Sequence, residues 1–130
     1  MQGVTDLNVL LKKAHPKHIA GDYVFCTLQD LTPLTPDDII LLFKEEEGKT
    51  IIIRKELADR LELEYSFVAA WITLSIHSSL EAVGLTAAFS TALAKEGVSC
   101  NVVAAFYHDH IFVEKKQVEK AMAILSRLSQ

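Results

Sequence analysis

Apolar and polar positions along this chain repeat with two periods, and each change of period marks an element. Leu7, Leu10, Leu11 and Ala14 fall on one helical face. They predict a first helix, capped by Thr5 or Asp6 and ended by Pro16, which pushes the residue before it out of helical backbone. Residues 23–28, 39–44 and 50–54 are rich in β-formers and predict three strands, the first opened by Gly21-Asp22. The stretch DLTPLTPDD between the first two is a loop with at most one short turn of helix. Glu45-Glu46-Glu47-Gly48-Lys49 forms a hairpin turn in which Gly48 supplies a positive φ. Residues 55–63 then predict a helix, with Leu57, Ala58 and Leu61 facing inward.

The second half opens on a strand over 67–77. Val68, Ala70, Ile72, Leu74 and Ile76 share a wholly apolar face, fit to lie under helices. Ala69, Trp71, Thr73, Ser75 and His77 share a mixed face, suited to contact with another sheet, subunit or subdomain. A loop over 78–83 leads to a helix over 84–96 that buries Leu85, Ala88, Phe89, Ala92 and Leu93, and Gly97 stops it. A strand over 98–107, a turn at His108-Asp109-His110 and a short strand over 111–113 follow. The last helix, 115–127, buries Val118, Ala121, Met122, Leu125 and Leu128. The class is α+β, with two helices on one face of an antiparallel sheet in each half, 1–65 and 66–130. The second half lacks the fourth strand such a unit needs. Residues 23–28 or another subunit must supply it.

Composition narrows the function classes. The 130 residues make one domain or two small subdomains, and half of them are apolar, which argues for a packed globule. The net charge is −4, and Lys12-Lys13 and Lys115-Lys116 are pairs rather than patches, so nucleic acid is not an expected partner. Cys26 and Cys100 stand far apart and read as reduced, buried thiols. No basic leader opens the chain and its apolar runs are too short for a membrane span, so a cytoplasmic location is expected.

Candidate chemistry concentrates around residues 77–84 and 108–110. Ser78-Ser79-Leu80-Glu81 has the form of a capping box, which would start the helix at Ser79 and put Gly84 inside it. The competing reading starts the helix near Gly84, where a missing side chain lets something approach the backbone. The apolar stripe that begins at Leu85 favours the second. A loop feeding a helix start offers free N–H groups to an anion. His108, Asp109 and His110 could share a metal with His77 as recruit, or form a polar turn. A metal needs three or four ligands, so the turn is preferred and no metal is expected. His15, His18 and the three glutamates read as solvated loop residues. Ser75, Ser78 and Ser79 lie near His77 without a nucleophile elbow. Phosphate-loop and dinucleotide glycine patterns are absent, and no apolar carboxylate pair is seen. No cofactor or catalytic residue is expected.

The strand WITLSIH, the loop and helix SSLEAVGLTAAFSTALAKEGVS and the strand pair CNVVAAFYHDHIFV resemble an ACT domain. More narrowly, the chain is similar to small bacterial ACT-like proteins of unknown function, related to the C-terminal ACT domains of aspartokinases and to the CASTOR arginine sensors. YVFCTL, the proline-bearing loop and LLFKEEEGKTIII resemble the first half of that subfamily, so the likeness covers residues 5–128. It implies a ferredoxin-like fold in two tandem, strand-sharing units, an N-terminal one over 1–65 and a C-terminal one over 66–130. It also implies a regulatory, non-catalytic module that binds a small ligand, an amino acid, and pairs as a homodimer. The ligand loop would be His77, Ser78, Ser79, Leu80, Glu81, Ala82, Val83 and Gly84. Asn101 and Val102 would face it, and His108, Asp109 and His110 would border it. Backbone amides near Gly84 would hold a carboxylate, and Glu81 or Asp109 an amino group. Two other readings stand beside it: an ACT-like interaction module without a ligand, and a metal binder using His108, Asp109 and His110.

Overall fold

Four helices and six strands form among the described residues, 7–75 and 83–130, of a computed structural model. In chain order they are α1 (Leu7–Lys13), β1 (Pro16–Leu28), β2 (Leu41–Lys44), β3 (Lys49–Arg54), α2 (Lys55–Arg60), β4 (Val68–Leu74), α3 (Leu85–Lys95), β5 (Asn101–Ala104), β6 (Asp109–Glu114) and α4 (Val118–Leu128). Short 3₁₀ turns precede β2 and α4. Hydrogen bonds set the strands in the order β2-β3-β1-β4-β6-β5. Contacts divide the chain into two compact units, Gly21–Ala69 and a second made of Met1–Ala20 with Ala70–Gln130.

In the first unit β3 is the middle strand. It pairs antiparallel with β1, Tyr23 opposite Arg54 through Leu28 opposite Lys49, and with β2, Leu41 opposite Ile52 through Lys44 opposite Lys49. Alternation sends Val24 and Cys26, with Ile51 and Ile53, to the face that Ala58 of α2 covers. The loop before β2 makes the single expected helical turn, Pro36–Asp38, with the Thr35 N–H donating to the Asp38 carboxylate at 2.9 Å. Glu45, Glu46 and Glu47 are exposed at the β2–β3 turn, and the Glu45 N–H donates to the Gly48 carbonyl at 3.1 Å. Gly48 departs from expectation: it has no positive φ. It is buried, and a Cβ there would stand 2.8 Å from Thr27 Oγ1, so close approach of β1 excludes a side chain.

In the second unit, Ala70, Ile72 and Leu74 of β4 and Ile111 and Val113 of β6 meet Leu85, Phe89 and Leu93 of α3 and Ala121, Ile124 and Leu125 of α4. Leu10 and Ala14 of α1 join this core, with Leu7 and Leu11 packed against it. Ala88 and Ala92, expected to be buried, are only partly so, and Ile124 joins the buried face of α4. The strand that completes the unit is the early part of β1. Residues 16–20 belong to it, and the Ser75 N–H donates to the His15 carbonyl at 3.2 Å. This corrects two expectations. β1 starts at Pro16 rather than at residue 23, and His18 lies in a strand rather than in a loop. The segment has poor β propensity, so tertiary pairing overrides it.

The β5–β6 hairpin also differs from its expected form. Asn101 pairs with Phe112 and Ala104 with Asp109, and the Ala105 N–H donates to the His108 carbonyl at 3.1 Å. The turn is therefore at Phe106 and Tyr107, both exposed, while Asp109 and His110 are strand residues. Aromatic residues at a turn tip read as strand in the sequence, which displaced the expected turn by two residues.

Candidate functional site

α3 begins at Leu85 with Gly84 as its N-cap, so the helix starts where the apolar stripe starts and not at Ser79. Gly84 has φ +94, a backbone that side chains disfavour. A Cβ there would lie 3.2 Å from Leu7 Cδ2, so α1 fills the space next to the glycine. The first turn of α3 carries no acidic residue and no side-chain cap bond. Val83 is 83% exposed. The ligand-loop residues His77, Ser78, Ser79, Leu80, Glu81 and Ala82 lie outside the described residues, as do Ile76 and the expected helix caps Thr5 and Asp6.

β6 brings the next candidates together. His110 Nδ1 lies 3.0 Å from both the Trp71 indole nitrogen and Thr73 Oγ1. The start of β6 thus runs beside the later part of β4, where the chain leaves toward the loop before α3. Asp109, at that end, is 8% exposed, and burial pushes its carboxyl above the usual carboxylate range, with His108 acting weakly against the rise. Strand alternation puts Asp109 on the helix side with Ile111 and Val113. His110 points the other way, with Phe112, onto the face that carries Trp71 and Thr73. The Trp71 ring stacks on Phe112 at 5.8 Å and meets the His110 ring edgewise at 5.6 Å. The His108 ring is 6.4 Å from that of His110, and its buried Nδ1 has no hydrogen-bond partner among the described residues.

This geometry separates the three residues of the His-Asp-His run. Asp109 is on the opposite face from His110, and His110 Nδ1 is already engaged, so the run does not converge on one ion. No group of three metal-ligating side chains occurs among the described residues. Asn101 is exposed and donates to the Phe112 carbonyl at 3.2 Å, while Val102 packs on the second core. Sequence reading missed Trp71 and Thr73 as the partners of His110. Their alternate spacing on the mixed face of β4 was the available signal. No helix among the described residues is long and apolar enough to cross a membrane.

Residues 2–70 match one ACT-domain sequence family, and residues 66–127 match a second. A Vibrio cholerae protein of unknown function, described as a possible transport protein, is 46% identical in sequence. Its crystal structure superposes with a TM-score of 0.87 over 95% of this chain and 96% of that one. An Agrobacterium tumefaciens protein, 17% identical, shares the fold with a TM-score of 0.66 over 90% of each chain. The ligand-free regulatory subunit of aspartate kinase from Thermus thermophilus, 9% identical, does so at 0.61 over 88% of this chain and 97% of that one. No curated protein matches. ACT domains are commonly regulatory, ligand-binding modules, and with family matches that run from residue 2 to residue 127 this chain belongs to the ACT-domain family.

Proposed function

We propose that this chain is a non-catalytic regulatory module, two ACT units in sequence over 1–65 and 66–130 that exchange the segment up to Ala20 in the fold, and that it binds a free amino acid where β4 leads into α3. One observation carries the reading: Asp109 is a carboxylate held out of water at that end of the sheet, on the helix side, with its charged form disfavoured by burial. A cationic guest would relieve that cost. The ammonium of an amino acid fits the need. Its carboxylate would take the uncapped N–H groups in the first turn of α3, on the side of exposed Val83 and away from Leu7, which occupies the space at Gly84. Residues 77–81, with Asn101 and Val102, would enclose the side chain and set the choice of ligand. His110, on the opposite face of β6 from Asp109 and engaged with Trp71, would lie outside the site. The module would act as a homodimer in the cytoplasm.

A thermal-shift screen of the common amino acids tests this reading. A ligand at a hundred times its dissociation constant adds about 2.7 kcal/mol, a readily measured rise in melting temperature. Asp109→Asn should abolish the rise. If no amino acid moves the midpoint, the ligand reading fails. A second reading, an interaction module without a ligand, would then be preferred. The exposed Phe106–Tyr107 tip, 71% and 66% accessible, favours it.

A further inference from the structure

His110 sits at a junction that treats its two charge states differently. The Trp71 indole N–H can only donate, and it donates to His110 Nδ1 at 3.0 Å. That bond requires a lone pair on Nδ1, so it exists only when His110 is neutral with its proton on Nε2. Thr73 Oγ1 lies 3.0 Å from the same nitrogen, and a hydroxyl can accept as well as donate. Once Nδ1 is protonated, the indole bond is lost and Nδ1–H donates to Thr73. The site thus holds a partner for each state on a single strand, two residues apart.

We propose that Trp71, Thr73 and His110 form a pH-operated switch between β4 and β6, in which protonation of His110 exchanges the indole bond for a bond to Thr73 and so changes the surroundings of the Trp71 ring. The switch depends on geometry and not on the ligand proposed above. β4 presents only the neutral Trp71 and Thr73 to the imidazole. β5 sets Val103 opposite His110. On β6, Asp109 faces away, and among the described residues His108 is the group whose charge acts on His110. Burial, and after it His108, hold the His110 pKa below the ordinary histidine value, so the exchange falls on the acid side of neutrality.

Trp71 is the protein's one tryptophan, so its emission reads the switch directly. On acidification of the wild-type protein, the fluorescence should change in a single step with a midpoint below 6.5, and His110→Asn should remove the step. Thr73→Val removes the acceptor for the charged form and should lower the midpoint by about one unit, the worth of a hydrogen bond to a charged group. His108→Asn removes a repelling charge and should raise it. Nitrogen chemical shifts of the His110 ring in the unmodified protein give a readout that needs no variant. At pH 8 they should show Nδ1 bare and Nε2 protonated. A proton on Nδ1 at pH 8, or a Thr73→Val midpoint that is unchanged or higher, would overturn the switch.

Discussion

At the scale of single residues, burial shifts two side chains at the start of β6 in opposite directions, because one is an acid and the other a base, and their pH dependences differ accordingly. Asp109 has a folded pKa above its unfolded value, because burial disfavours the carboxylate. It therefore weakens the fold at neutral pH, and the cost disappears once both states are protonated. Asp109→Asn should raise the melting temperature at pH 8, and the gain should fade on acidification until it is gone below about pH 4. Calorimetry across that range checks it; a gain that grows toward acid would refute the assignment. His110 has a folded pKa below its unfolded value. Its contribution is complete above the ordinary histidine pKa and declines as pH falls through it, since the unfolded chain then binds the extra proton. Gly84 is the third residue whose environment decides its identity. Gly84→Ala would force a side chain into φ +94 and press on Leu7, so it should cost about 1–2 kcal/mol in chemical denaturation.

Helices α2 and α3 end by one device, and it offers a test at the scale of elements. After α3 the Gly97 N–H donates to the Ala94 carbonyl and the Val98 N–H to that of Leu93, both at 3.0 Å, with Gly97 at φ +77. After α2 the Glu62 N–H donates to Asp59 at 3.1 Å and the Leu63 N–H to Ala58 at 2.9 Å, with Glu62 at φ +56. Both are the left-handed helix stop with paired backward bonds, but only one uses glycine. Glu62→Gly should raise stability by about 0.5–1 kcal/mol, because relief of the left-handed strain outweighs the extra freedom of the unfolded chain. Gly97→Ala should lower it by about 1 kcal/mol. Parallel denaturant melts decide both, and equal effects of the same sign would refute the shared device. Elements of this kind were legible in the sequence wherever period and punctuation agreed, as in α3 between its stripe from Leu85 and its stop at Gly97. They were illegible where a distant strand decides. Residues 16–20 become strand only because β4 is there to pair with them. Gly48 is glycine because Thr27 comes close, and the partners of His110 lie nearly forty positions away. Residues 77–81 stand out only by their neighbours in sequence, and the ligand proposed for them rests on family likeness and on Asp109.

For the whole molecule, the consequence of β1 is that the two sequence halves are not two folding halves. Family matches divide the chain near residues 66–70, yet the unit that holds β4, α3, β5, β6 and α4 also takes in residues up to Ala20. Leu10 and Ala14, 1% and 5% exposed, are part of its core, and Leu7 and Leu11 pack against it. A fragment of residues 66–130 would lose those side chains and would present one edge of β4 without its partner strand. Burying a leucine is worth about 1.5–3 kcal/mol, and a domain has only some 5–15 kcal/mol to lose. The fragment should therefore lack a cooperative thermal transition, and its exposed strand edge should make it associate. Adding a separate peptide of residues 5–22 should restore a cooperative melt whose midpoint rises with peptide concentration. Circular dichroism melts with and without the peptide measure both outcomes. A fragment that melts cooperatively by itself, with a midpoint indifferent to the peptide, would mean that the unit is complete without α1 and β1.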